Sequence, residues 1–462
     1  MVAAAAALGG VPVGGAYVAR LTGDEPHYLM TAISLAEDGD LDVADEYAGE
    51  RYRPFHAADL TPQGRVLAGG RIVEPHDPLL PALLAGPAAA AGWVGARVAM
   101  TAAAAALAAL LLWTAVRRLG VPVVPGALVV STFAASAPLA PYGSQIYPEL
   151  PAALAVTAGF AAVTGRLGAR GLALLAGAVL ALPWLGTKYA LLAALLAAAG
   201  LVRVARGRRP GAAIGLGVAL ALGGALFAFA HLRWYGGLSP YAAGRTFAGG
   251  QLEVVGGDPD YLGRSRRLAG LLVDRDFGLA AWQPAWLLAV PALAALTRVR
   301  PPGFGVLASL LAAGWLTATF VALTMQGWWF PGRQLVAVLP LAVLALAWWV
   351  GSSGRRLSIL LAAAVAGVVS YAWLAIEGSL GGVTWAVDFF ETSNPLYRGW
   401  RRLLPDYLDV TAQTWVLHWV WVAVLSGLAV AGWRAATRPS EQERLPQATS
   451  WRATVEREGV RS

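Results

Sequence analysis

The chain of 462 residues is 57% hydrophobic and only 13% charged, with a mean hydropathy of +0.58; a soluble globule of that length would need more charge at its surface. The net charge of +8 is scattered among apolar runs rather than gathered into basic blocks, which argues against nucleic acid as a partner. Cysteine is absent, so disulfides are excluded.

A hydrocarbon core of about 30 Å needs roughly 20 apolar residues per helix, and a helix satisfies its own backbone there. Ala/Leu-rich runs of this kind recur near 1–19, 95–116, 123–140, 149–164, 171–186, 189–203, 211–231, 278–297, 304–325, 333–350, 358–377 and 413–433. Barrel-type alternation is missing. The expectation is an all-α, polytopic integral membrane protein with about 12 transmembrane helices. The pair 171–186 and 189–203 also reads as one long helix broken around Pro183 and Gly186. The first run lacks a basic leading region and a small-residue cleavage site, so it reads as a retained span.

Short connections set the orientation. One group carries Arg117, Arg118, Arg166, Arg170, Arg203, Arg206, Arg208, Arg209, Arg298, Arg300, Arg355 and Arg356 with no acid among them, the mark of cytoplasmic loops. Long loops near 20–94, 232–277 and 378–412 then face the extracytoplasmic side, and the first alone holds twelve acidic residues. Within it, Pro26 suits a first helical turn with Asp24 or Glu25 at the cap. Leu29, Ile33 and Ala36 repeat at helical spacing and Gly39 suits the end. This predicts an amphipathic helix lying on the outer membrane surface. A second short apolar helix is predicted over 79–92.

The candidate chemistry clusters on that outer side. Asp24 and Glu25, adjacent in Gly23-Asp24-Glu25-Pro26-His27-Tyr28, suit metal binding or activation of a hydroxyl, and equally suit a helix cap. His76 and Asp77, in Glu74-Pro75-His76-Asp77-Pro78, either join that pair or form a Pro-bounded turn. Tyr147 and Glu149 open the fourth run. Glu149 is the sole acid between Asp77 and Glu253, and at a span edge it needs a cavity, a partner or a helix N-terminus. Lys188, the only lysine, suits an anionic headgroup or snorkels beside Trp184 and Tyr189. Arg333, after Trp328-Trp329-Phe330-Pro331-Gly332, suits a bidentate grip on phosphate within an aromatic belt. The set Arg264, Arg266, Arg267 and Arg275 is flanked by Asp274 and Asp276, and reads as structural ion pairing. No P-loop, HExxH or GxSxG is present.

On Gly23-Asp24-Glu25 with Tyr28, His76-Asp77-Pro78-Leu79-Leu80-Pro81, Tyr147-Pro148-Glu149 and Lys188, the chain resembles the GT-C superfamily of membrane glycosyltransferases. It is similar to bacterial relatives of the dolichyl-phosphate-mannose protein mannosyltransferases and the lipid A aminoarabinose transferases. The resemblance covers roughly residues 15–205, and beyond them extends by topology and by Arg333. It implies a GT-C-like catalytic membrane module over 1–210 with the outer loop 20–94, a variable membrane module over 211–433 and a cytoplasmic polar tail over 434–462. It also implies Asp24 and Glu25 as catalytic acids, Lys188 and Arg333 at a donor phosphate, and His76, Asp77, Tyr147 and Glu149 supporting the acceptor or a metal. Asp24 and Glu149 are the metal candidates, with oxygen ligands suited to Mg or Mn.

The implied activity moves a hexosyl or pentosyl group from a polyprenyl-phosphate donor in the bilayer to an extracytoplasmic glycan, lipid or protein acceptor. Asp24 would be the general base of an inverting attack, in a multi-pass protein of the plasma membrane and cell envelope. The physics agrees, because a lipid-phosphate donor reaches an outer polar face that cytoplasmic nucleotide sugars do not. The alternative is a secondary transporter or lipid flippase. That reading expects two related halves and a midplane site; no repeat joins 1–210 to 211–433, and the acids cluster outside.

Overall fold

The structure, a computed structural model, describes residues 1–16, 19–246, 256 and 259–436. All of the predicted tail beyond Ala436, and part of the second long loop, lie outside the described residues. Among the described residues every named element is helical, and pairing between extended segments is confined to isolated bridges. In chain order the helices begin with α1 (Val2–Gly10), α2 (Glu25–Glu37), α3 (Ala44–Ala48), α4 (Leu79–Leu119) and α5 (Val123–Ala134). Next come α6 (Leu139–Tyr142), α7 (Glu149–Val163), α8 (Ala169–Leu185), α9 (Ala190–Arg206) and α10 (Pro210–Tyr235). Short α11 (Tyr261–Arg264), α12 (Arg267–Val273) and α13 (Leu279–Trp282) lead to α14 (Ala289–Val299), α15 (Phe304–Leu316) and α16 (Leu339–Gly351). The last are α17 (Gly354–Ser379), α18 (Pro395–Trp400) and α19 (Ala412–Ala435).

By length and composition, six helical stretches among the described residues suffice to cross a membrane: 79–119, 187–206, 210–243, 304–321, 354–379 and 412–435. Five shorter apolar helices, at 123–134, 149–163, 169–185, 284–299 and 339–351, complete an all-α polytopic membrane architecture. The buried core runs through α4, α5, α7 and α16, whose inward positions are mostly Ala, Leu and Val. Small residues let these helices approach closely, as packing between helices in lipid requires.

Several predicted spans change shape. The first, expected over 1–19, is helical only to Gly10; the chain then turns back and is fastened by side chains of other helices. The run 278–297 breaks at Gln283, whose extended backbone precedes Pro284. Its amide closes the gap, with Oε1 accepting from Ala285 N–H and Nε2 donating to the Ser136 hydroxyl at 2.9 Å. The run 304–325 is α-helical to Leu316, ends in a wider turn over Thr317–Val321, and then becomes irregular. The run 333–350 opens as a short 3₁₀ turn at Arg333 and becomes α-helix at Leu339. Helices α8 and α9 are separate and pack on each other across the turn at Gly186.

The two predicted loop helices also differ from expectation. Residues 79–92 belong to α4, which continues to Leu119 through a kink at Ala91 and Gly92. Helix α2 is buried from Glu25 to Ala32, on all faces, against α4 and the rest of the first loop. Its first two turns therefore do not lie on a surface, and only the end at Ala36 and Glu37 is exposed. The apolar stripe marked one packed face, while the opposite face is covered by chain folding back over it.

The arginine-rich connections gather where helices end. Arg118 Nε donates to the Ala161 carbonyl at 3.1 Å, Arg209 to Leu167 at 2.7 Å and Arg298 to Trp433 at 2.8 Å. Arg203 reaches the Val163 carbonyl. Cations at helix C-termini satisfy orphan carbonyls.

Candidate functional site

Two glycines deliver the key charges. Gly23 has φ +62° and Gly332 has φ +84°, left-handed values that disfavour a side chain. A Cβ on Gly23 would stand 2.8 Å from the Tyr147 hydroxyl, and one on Gly332 would stand 2.9 Å from Leu279. These turns aim Asp24 and Arg333, 309 positions apart, at each other.

Asp24 occupies the N-cap position of α2, yet its side chain caps nothing. Its Oδ2 accepts from the Arg333 guanidinium at 2.6 Å, and its Oδ1 from the Gln63 amide at 3.3 Å. His76 Nε2 lies 4.0 Å from Oδ1. Burial alone would raise this carboxyl, but Arg333 and then His76 hold it well below the usual carboxylate range.

Arg333 is shared. Its Nε donates to Glu149 Oε1 at 2.9 Å, and the same oxygen accepts from Lys188 Nζ at 2.7 Å. The guanidinium lies over Tyr147, 4.3 Å from the ring centroid, and 5.2 Å from that of Trp329. Two carboxylates and two cations thus form one chain, Asp24–Arg333–Glu149–Lys188. Exposure separates their roles: the Glu149 side chain is 1% accessible and Arg333 11%, whereas Asp24 is 27% and Lys188 30%. Asp24 and Lys188 are the most open to a visitor, Arg333 is partly open between them, and Glu149 is buried. The second carboxylate oxygen of Glu149, His76 Nδ1 and the Tyr189 hydroxyl are buried with no hydrogen-bond partner. Burial lowers the His76 pKa against the pull of Asp24 and Glu74, which favours the neutral ring at pH 7.

The remaining predicted residues go elsewhere. Glu25 is buried against Arg97, with Oε1 accepting from Ile146 N–H at 2.8 Å and lying 3.6 Å from the guanidinium. Asp77 accepts from Thr187 N–H at 2.8 Å and sits 3.0 Å from His231 Nε2, so it anchors the turn that carries Lys188. Tyr147 serves as the platform beneath Arg333. In the second long loop Asp276 pairs with Arg401 and accepts from the Tyr397 hydroxyl, while Arg275 pairs with Asp406. These pairs tie that loop to the third one. Arg267 donates to carbonyls at Ala322 and Leu323.

Sequence reasoning missed Arg97, Gln63 and the partners of Glu74. Arg97 is 0% exposed and donates to the carbonyls of Val11, Val13 and Arg20 at 2.7–3.0 Å. Its signal was present, since it is a lone arginine inside an apolar run and such residues have internal partners. Glu74 accepts from Tyr47 at 2.6 Å and from the Gln63 and Gly64 N–H groups at 3.1 Å. It thereby positions the Gln63 amide on Asp24. No local pattern marks such a relay.

Mg or Mn at Asp24 and Glu149 fits this geometry poorly. Among the described residues, the ligand atoms of three or more His, Asp or Glu residues converge only at Asp38, Asp45 and Glu46. Arg333 and Lys188 already supply the positive charge at Asp24 and Glu149.

A cavity of about 510 Å³ opens between α2, α4, α8 and α10, and none of Asp24, Glu149, Lys188 and Arg333 lines it. Trp184, Trp234, Arg71, Arg233, Asp40 and Asp42 line it, together with apolar residues of α2 and α4. It shares a wall with the Asp77–Thr187–His231 anchor, because Pro78 and Arg233 line it.

No family model matches the chain, and no curated protein matches it. Among solved structures the chain is similar to the crystal structure of ArnT from Cupriavidus metallidurans bound to undecaprenyl phosphate. The match has 13% identity and a TM-score of 0.49, over 93% of this chain and 71% of that one.

Proposed function

We propose that the chain is a GT-C-like membrane glycosyltransferase that takes its sugar from a polyprenyl-phosphate donor. The observation that carries this reading is the Asp24 carboxylate. It stands where a helix cap should be, caps nothing, and is turned instead into a cluster of two cations and a second acid. A helix-capping role would have left it on the α2 backbone. The motif order noted in the sequence supports the same assignment, and the cavity lined by Trp184, Trp234, Arg71 and Arg233 has the mixed aromatic and charged character that an amphipathic glycolipid requires.

The reaction is a single displacement. The acceptor hydroxyl oxygen forms a bond to the anomeric carbon as the bond from that carbon to the phosphate oxygen breaks. The hydroxyl proton passes to Asp24, and polyprenyl phosphate leaves with one more negative charge. Lys188 and Arg333 face that developing charge, where preorganised cations help most. In the resting cluster Arg333 suppresses the basicity of Asp24. A donor phosphate that draws Arg333 toward itself raises that basicity, so the base is armed when the donor arrives. Glu149 keeps both cations in place, Gln63 orients Asp24, and no step needs a metal ion.

The test is to incubate the purified protein with a panel of radiolabelled polyprenyl-phosphate sugars and a membrane extract as the source of acceptor. Transfer of label from one donor, with release of polyprenyl phosphate, supports the reading. Flux of intact lipid across proteoliposomes without sugar transfer would replace it with the flippase alternative.

A further inference from the structure

The first long loop holds a second acid cluster that shares no residue with the first. Asp38 closes α2, and Asp45 and Glu46 open α3. One carboxylate oxygen from each lies within 4.8 Å of the others. Glu46 is 2% exposed, and neither of its carboxylate oxygens has a hydrogen-bond partner. A buried carboxylate is tolerated when it is paired, protonated or bound to a cation.

The neighbouring acids are satisfied in ways these three are not. Asp40 Oδ1 accepts from Asp42 N–H at 2.9 Å, and Asp42 Oδ1 from Ile72 N–H at 2.8 Å. The arginines next along the chain are also taken, Arg51 by Glu37 and Arg53 by Glu50 and Asp59. Among the described residues, therefore, these three acids converge with no cation paired to them.

We propose that Asp38, Asp45 and Glu46 bind one calcium ion. The donors are all hard oxygens, which suit calcium rather than a softer transition metal. Asp38 and Asp45 are exposed and give the ion a path from solvent, while Glu46 closes the inner side. Calcium takes six to eight oxygens at about 2.3–2.6 Å in an adaptable shell, so water and main-chain carbonyls can fill positions the three carboxylates leave. Magnesium demands a smaller, near-octahedral shell and gives up water reluctantly.

The ion would staple the loop. Residues between Asp38 and Asp45 include Gly39, Asp40, Leu41 and Asp42, one wall of the 510 Å³ cavity. On the other side, α3 carries Tyr47 onto Glu74, and Glu74 holds the segment whose Gln63 amide reaches Asp24. Calcium therefore fixes both a cavity wall and the support of the candidate base. The inference rests on these side chains and not on the glycosyltransferase reading.

The experiment uses the full chain purified in detergent and stripped with EGTA. Equilibrium dialysis against radioactive calcium is expected to give one ion per chain, and thermal melting a midpoint that rises with calcium. Glu46→Gln removes the buried charge, so it is expected to fold and to melt no lower than the stripped wild type. It should lose at least tenfold in calcium affinity together with the thermal gain. Asp45→Asn, at an exposed position, should weaken binding without unfolding risk. The proposal is overturned by absence of stoichiometric binding at millimolar calcium, by unchanged binding in both variants, or by an equal response to magnesium. Calcium binding by a chain that transfers no sugar overturns the proposed function and leaves this site intact.

Discussion

Replacing Asp24 with asparagine separates catalysis from architecture. The side chain keeps its size, and α2 has no capping bond to lose. What disappears is the charge facing Arg333, now 2.6 Å from Oδ2. Two unit charges at 4 Å attract by about 4 kcal/mol at an effective dielectric of 20. Desolvation of both groups offsets much of that, and Arg333 keeps Glu149 at 2.9 Å. A charge-assisted hydrogen bond contributes about 1.5–3 kcal/mol net, so the variant should fold with a stability loss no larger than that. Transfer should fall by about 10²–10⁴-fold, the usual contribution of a general base. Donor binding should move the other way or not at all, because Arg333 loses an anion that competes with phosphate. The assay is single-turnover transfer from a radiolabelled donor, with donor affinity measured separately and folding checked by melting in detergent. Near-normal turnover in a folded Asp24→Asn variant would refute the base assignment. Tighter donor binding with unchanged turnover would leave Asp24 as a counter-ion only.

Other outcomes follow from the same geometry. Lys188→Ala and Arg333→Ala should each weaken donor binding by about 1.5–3 kcal/mol and acceptor binding less, as loss of a charged hydrogen bond predicts; equal losses for both substrates in binding titrations would count against a phosphate site. Arg97→Ala leaves buried Glu25 without its counter-ion, so it should cost about 3–5 kcal/mol in melting experiments; an unchanged melting curve would show that the 11–20 segment is held by other means. Burial lowers the folded pKa of His76 below the ordinary histidine value, so its contribution is complete above about pH 6.5 and is lost as pH falls through the folded pKa. His76→Gln should remove that acid-side loss from both stability and transfer profiles. Burial raises the Asp274 carboxyl to about 7. The folded state then holds a proton that the unfolded chain releases above about pH 4, so stability should fall from pH 4 to 7 by at most about 1.4 kcal/mol per unit. Asp274→Asn should flatten that slope in melts across the range.

The all-α polytopic character was legible because lipid leaves the backbone few choices, and apolar runs of sufficient length declare helices whatever they pack against. The same holds for the arginine-rich ends, since a helix C-terminus has orphan carbonyls whichever helix follows. The candidate residues Asp24, Glu149, Lys188 and Arg333 were also legible individually, because an ionisable group at the edge of an apolar run demands a partner. Partner choice was not legible. Asp24 and Glu25 are neighbours with the same chemistry, and only the direction each side chain takes from α2 sends one to Arg333 and the other to Arg97. Nor does any local pattern show that Arg333 and Lys188 share an oxygen of Glu149, or that chain folding back over α2 buries a helix that looked suited to a surface. Hydrophobicity and charge act residue by residue and can be read along the chain. Pairing depends on distances between segments hundreds of positions apart, and those distances exist only once the helices have packed.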